Sequence, residues 1–151
     1  MDNQILPTVT PYSTGIDVSD RELSELFPAV DPEFRPFGTR VVVQLRRTVS
    51  KTRSGIILSA GTKDTEAWNI QVGRIVSVGP LAFKKRDTAE PWPEGIWANV
   101  GDFVKVPRWG GDRWSIQLED GGEPVAIVLV NDSDLIGAYT GNPLKIKAYL
   151  Q

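Results

Sequence analysis

The side chains missing from this sequence narrow its chemistry more than the ones it has. Among its 151 residues there is no histidine and no cysteine. Serine and cysteine nucleophiles activated by histidine, histidine-ligated metals and thiolate metal sites are therefore excluded. Disulfides are excluded too, which fits a reducing compartment. No Walker A loop, Gly-x-Gly-x-x-Gly or HExxH pattern occurs. Asp132 and Asp134 could present carboxylates to a hard cation, but two are few for a dedicated site, and turn formation with backbone capping is the simpler role. The sequence is thus expected to have no catalytic residue, no metal ligand and no cofactor. Arg108-Trp109 and Arg113-Trp114 pair a cation with an aromatic ring, as stacking platforms for single-stranded nucleic acid do. Against that reading stand a formal net charge of −2 and the lack of a continuous basic stripe.

One motif suits binding instead of bond-making. Gly55 precedes three aliphatic residues, Ile56, Ile57 and Leu58, inside the otherwise polar stretch from Val49 to Asn69. Such a stretch cannot bury enough surface to offset its ordering entropy, so it is expected to be mobile when free. Each aliphatic side chain buried in a partner's groove would gain ~1.5–3 kcal/mol. Ordering the loop costs several kcal/mol, so a single copy should bind weakly. Several copies held in one assembly would make up the difference by avidity. Gly55 lets the chain bend just before the anchor. Taken alone, the same four residues also read as a short core strand. On either reading Trp68 and Ile70 mark the chain's re-entry into the core.

The elements that must position this motif are mostly strands. The apolar fraction is 40% and the charged fraction 24%, ordinary for a soluble globular chain of one domain. No apolar run approaches the ~20 residues of a membrane span, and the N-terminus lacks the basic start and apolar stretch of a signal peptide. Strands are expected at Thr39 to Leu45, Gln71 to Gly79, Asp102 to Val106, Trp114 to Leu118 and Val125 to Val130. The last is apolar enough to be buried on both faces. Asp132 to Tyr139 closes the domain. The tail from Thr140 to Gln151 holds an edge-strand candidate at Leu144 to Lys147. Residues 1–34 carry four prolines and one short helix, capped by Ser19-x-x-Glu22 with Leu23, Leu26 and Phe27 on one face. That helix docks on its own barrel or clasps a neighbour. Two connections, about 47–69 and about 81–99, are too long for hairpins and are where function belongs.

These strands and loops resemble the GroES-type co-chaperonins over residues 35–139. Arg35-Pro36-Phe37-Gly38-Thr39-Arg40-Val41-Val42-Val43 is similar to the family's opening strand. Lys51 to Leu58 is similar to its mobile loop, Gly73 to Gly79 to its Gly-x-Val-x-x-Val-Gly strand, Val100 to Val104 to its Val-Gly-Asp-x-Val turn, and Asp132 to Ile136 to its closing segment. The resemblance implies a mostly-β fold, a GroES-like partly open β-barrel with a long mobile loop (about 49–69) and a long roof loop (about 81–99). It implies a homo-oligomer, a heptameric ring, that caps a GroEL-type chaperonin in the cytoplasm and closes a chamber around an unfolded client. Gly55, Ile56, Ile57 and Leu58 would then bind the chaperonin. Trp109 would face the chamber, with packing in the barrel as the alternative. By the same resemblance, the strands near Val41 to Leu45 and Val125 to Val130 would meet neighbouring subunits.

Residues 1–34 form an N-terminal extension, 35–139 the barrel and 140–151 a C-terminal tail. The roof loop, with Lys84-Lys85-Arg86, Pro91-Trp92-Pro93 and Trp97, is longer than in compact bacterial members. These additions resemble phage-encoded co-chaperonins, which would act in the host cytoplasm. Two rival readings remain: a virion component built on the same barrel, and a nucleic-acid-binding barrel. Neither nucleic acid nor membrane is an expected partner of a co-chaperonin of this kind.

Overall fold

The computed structural model describes residues 23–47 and 71–145. Gly55, Ile56, Ile57 and Leu58, the capping box at Ser19 to Glu22 and the tail from residue 146 lie outside the described residues.

Six strands form one antiparallel sheet: β1 (Arg40–Leu45), β2 (Val72–Val78), β3 (Phe103–Lys105), β4 (Asp112–Ile116), β5 (Val125–Asn131) and β6 (Gly137–Ala138). Their order is β4-β5-β1-β2-β3-β6. The sheet is a partly open barrel, because the terminal strands β4 and β6 do not pair with each other. β-Branched residues dominate β1 and β5, and their alternation separates two faces. Val41, Val43, Leu45, Val128 and Val130 pack inward with Ile75, Phe83, Val104, Val106 and Leu135. Val42, Val125 and Ile127 form a second cluster on the other face with Val30, Val76, Trp114 and Ile116. β5 is therefore buried on both sides.

Two details differ from the expected strands. β4 starts two residues earlier than Trp114, because the left-handed pair Gly110 (φ 104°) and Gly111 (φ 73°) turns the chain straight into the ladder at Asp112, opposite Leu129. In the tail, Pro143–Lys145 is a 3₁₀ turn where an edge strand was expected from Leu144. The Leu144 N–H donates to Asn142 Oδ1 at 2.9 Å, an Asx turn that diverts the backbone from extended geometry.

β1 and β5, the strands expected to meet neighbouring subunits, have no free edge within the sheet of their own subunit. Both are interior, each hydrogen-bonded on two sides: β1 to β2 and β5, β5 to β1 and β4. The free edges belong to β4 and β6.

The barrel has two ends. At one, Val41 pairs with Val78, and the roof loop leaves from Gly79 and Pro80. At the other, Leu45 pairs with Gly73, and residues 47 and 71 lead into residues 48–70. A strand of this length separates the ends by about 17–20 Å. At the roof end Gly79 is pressed against the 38–40 turn. Its N–H donates to the Arg40 carbonyl at 2.8 Å, and a Cβ there would land on the Gly38 carbonyl oxygen. Backbone cannot rotate away as a side chain can. Gly79→Ala is expected to cost about 1–3 kcal/mol, read as a lower urea midpoint with an unchanged slope.

The described part of the N-terminal extension is docked on its own barrel. Residues 23–26 are helical. Phe27 is buried against Val72 and Phe103, with Leu23, Leu26 and Tyr139 around it. From there the chain runs back along the outer face of β1. Gln44 is fully buried, and its Nε2 donates to the Pro28 carbonyl at 2.7 Å. Arg74 Nη2 donates to the Phe27 carbonyl at 2.8 Å and to Gln44 Oε1 at 3.2 Å. Val30 joins the Val42 cluster, and Phe34 lies 5.1 Å from the Trp114 ring. The extension thus satisfies two polar side chains that would otherwise interrupt an apolar face.

Candidate functional site

Residues 48–70 depart from two fixed points. On the first side, the Arg46 N–H donates to the Val72 carbonyl at 3.1 Å, which keeps the departing and returning chains side by side. Arg47 then binds three segments at once. Its N–H donates to the Leu26 carbonyl at 2.8 Å, its Nε to the Glu123 carbonyl at 2.7 Å, and its two terminal nitrogens grip Asp120 at 2.8 and 2.9 Å. The guanidinium lies flat against Gly122, where a Cβ would meet it at 3.0 Å. On the second side, Gln71 Nε2 donates to the Val106 carbonyl and the Val106 N–H to the Gln71 carbonyl, both at 3.0 Å.

The bidentate hydrogen bonds from Arg47, helped by the Gly122 N–H, hold the Asp120 carboxyl down to about 2. An unfolded aspartate titrates near ~3.9. The folded value is depressed, so the contribution of this pair is present above the unfolded value and disappears as pH falls through about 2. Asp120→Asn should therefore lower Tm by the same amount at pH 7 and pH 5. The gap between variant and parent should close as thermal melts are repeated toward pH 2.

At the opposite end the roof loop is held by aromatic packing. Lys84 and Pro91 form an isolated bridge. The rings of Phe83, Trp92 and Trp97 meet at 4.7–6.1 Å. Phe83 adopts φ 61°, which a bulky residue avoids, and its N–H donates to the buried carboxylate of Asp132 at 2.8 Å. Asp132 also accepts from the Ser133 N–H at 2.7 Å, so one carboxylate ties the 132–134 turn to the roof loop. Lys85 and Arg86 lie at the exposed tip. A cavity of about 460 Å³ opens below, between Ile96, Trp97, Leu135 and Ile136.

Trp109 stands on the β3–β4 connection, 68% exposed. It is not packed in the barrel of its own chain. Arg113 Nη2 donates to the carbonyls of Pro107 and Arg108 at 2.9 and 3.2 Å, and so holds the turn that presents Trp109. These contacts also break up the stacking platform suggested by Arg108-Trp109 and Arg113-Trp114. Arg113 is turned into backbone carbonyls, and Trp114 is covered by Phe34. Among the described residues, no group of three acidic side chains could hold a metal, and no helix is long and apolar enough to cross a membrane.

Sequence reasoning missed three of these features. Arg47 and Asp120 are 73 residues apart, and nothing in the Asp120-Gly121-Gly122 turn signal names its partner. Asp132 carried a turn signal, but not its link to Phe83. The roof aromatics were visible as residues, without their mutual contact.

Comparison with known proteins gives the chain a family context. The family model described as the chaperonin 10 Kd subunit matches residues 33–139. The chain is 31% identical over 105 residues to Co-chaperonin GroES of Methylorubrum populi, covering 70% of this chain and 95% of that protein. It is 29% identical over 104 residues to Co-chaperonin GroES 5 of Rhizobium meliloti, covering 69% and 86%. It is 30% identical over 105 residues to Co-chaperonin GroES of Caulobacter vibrioides, covering 70% and 95%.

Proposed function

The chain belongs to the chaperonin 10 Kd subunit family, and from that premise we propose that it is a co-chaperonin forming a heptameric ring-shaped lid on a GroEL-type chaperonin in the cytoplasm. The contact is made by Gly55, Ile56, Ile57 and Leu58. The partner's ATP cycle drives folding of a client enclosed beneath the ring, and the chain itself is not an enzyme. One observation carries most of the support. The two fixed points around Arg47 and Gln71 sit together at one end of the barrel, and the roof loop closes the other. A loop tethered at one rim can reach for a partner without disturbing the core.

The energetics suit a lid that must come off again. Three aliphatic side chains give each loop ~1.5–3 kcal/mol apiece before ordering costs, so one loop is weak and a ring of them is not. Ring formation also needs a contact between two different surfaces of the subunit. The unpaired edges of β4 and β6 are the parts of the sheet open to such contacts. Trp109, presented on its turn, faces the enclosed client in this reading.

The test is assisted refolding. A client that a GroEL-type chaperonin and ATP cannot release in native form should be recovered when this protein is added. Recovery that is the same without it would remove the lid reading.

A further inference from the structure

We propose that Arg47 is a positioning residue for the chaperonin contact: its grip on Asp120 locks the point where the chain leaves the barrel, and releasing that grip weakens binding without unfolding the barrel. This rests on the lid reading above. Arg47 acts not by touching the partner but by fixing where the segment that follows it begins.

Three segments meet on this one residue. The Arg47 N–H donates to the Leu26 carbonyl at 2.8 Å, and Leu26 belongs to the extension that precedes the family match at residue 33. Its Nε donates to the Glu123 carbonyl at 2.7 Å, and Nη1 and Nη2 donate to the two Asp120 oxygens at 2.9 and 2.8 Å. Backbone and side chain are both held, so the position of Arg47 and the direction in which the chain leaves it are set together. The turn that receives the guanidinium is braced independently of it. The Gly122 N–H donates to Asp120 Oδ1 at 2.9 Å, and Gln117 Nε2 donates to the Leu118 and Gly122 carbonyls at 3.2 and 3.0 Å. Gly122 leaves the room that the guanidinium fills, since a Cβ there would meet its central carbon at 3.0 Å.

The second root is built differently. The Val106 N–H donates to the Gln71 carbonyl, a backbone bond that continues the β2–β3 ladder and lasts as long as the sheet does. The Arg47 root hangs on side-chain bonds to a surface turn, so one substitution releases it while the sheet stays. The Arg46 N–H still reaches Val72, and β4 still pairs with β5 from Asp112–Leu129 to Ile116–Val125. Asp120 is 48% exposed, and an ion pair this open adds only modestly to folding stability. Its larger effect falls on binding. A segment that starts from a fixed root has less to order when it binds. A shorter tether also keeps it more concentrated near its groove. The same loss is repeated in every subunit, so a small change per loop is multiplied across the ring.

The test measures the affinity of full-length Asp120→Asn for purified bacterial GroEL-type chaperonin with ADP, beside the parent and Gly79→Ala. Arg47→Lys keeps the charge but not the parallel pair of bonds, and is read in the same way. The dissociation constant of Asp120→Asn should rise at least about fivefold with the ring mass unchanged. Gly79→Ala destabilises the barrel at its opposite end and should stay within about twofold of the parent. A smaller rise for Asp120→Asn, while Ile57→Asp abolishes binding, would overturn this inference and leave the lid reading standing. An equal rise for Gly79→Ala would also overturn it, because the loss would then follow stability and not position. So would loss of the ring in Asp120→Asn, since the turn would then serve a neighbouring subunit. No binding by the parent chain would remove the lid reading and this inference together.

Discussion

Ile57→Asp should abolish binding to a GroEL-type chaperonin and leave the ring and its thermal stability unchanged. The substitution removes ~1.5–3 kcal/mol of apolar burial from each loop. It also asks the partner's groove to accept a carboxylate, which costs several kcal/mol more unless the charge finds a partner. Each 1.4 kcal/mol is about tenfold in affinity, and every subunit of the ring carries the same defect. Binding should therefore fall by more than about a thousandfold, below detection in biolayer interferometry with immobilised chaperonin. The barrel should not respond, because the chain on either side of residues 48–70 is held by described residues, Arg47 by Asp120 and Gln71 by Val106. A Tm within about 1 °C of the parent is expected. A variant that loses its ring or its fold would show that Ile56-Ile57-Leu58 is core, the reading its residues alone also allow.

The largest effect on stability should come from Phe27→Ala. Phe27 is 1% exposed and lies outside the residues matched by the family, yet it completes the barrel. Its ring meets Phe103 edge-on at 5.0 Å, and the Arg74 guanidinium lies over it at 5.8 Å. Phenylalanine-to-alanine changes in cores cost ~3–5 kcal/mol. Here the loss has a second part. When the extension loosens, the Pro28 and Phe27 carbonyls leave Gln44 and Arg74, and a buried amide and a half-buried guanidinium each lose a hydrogen bond. A fall in Tm of about 10–20 °C is expected from calorimetry. A fall of under about 3 °C would mean that the extension is an ornament and that its docked path does not persist in solution.

The strands were legible where local chemistry defines them. β-Branched runs marked β1, β2 and β5, Pro107 stopped β3, and Gly79-Pro80 ended β2. The grouping of Leu23, Leu26 and Phe27 on one face was legible too, but not that Val72 and Phe103 would receive them, because the receiving strands lie far along the chain. Strand adjacency was the weak point. Nothing within β1 or β5 announced that they pair with each other, from Arg40 with Asn131 to Gln44 with Ile127. Hydrophobic alternation gives a strand its faces and says nothing of its neighbours. The same limit hid the Arg47–Asp120 pair and the contact between Phe83, Trp92 and Trp97. The exposure of Trp109 followed from its setting between Arg108 and two glycines only once the turn was seen to project from the sheet.

The measurement closest to the central claim is native mass spectrometry of the purified protein, alone and mixed with a GroEL-type chaperonin with and without ADP. The lid reading predicts a heptamer alone and a complex of one such ring with the chaperonin that appears only when nucleotide is present. A ring that ignores the chaperonin under every nucleotide condition would contradict it and favour a structural role such as a virion part. A monomer that binds nothing would contradict both the ring and the lid.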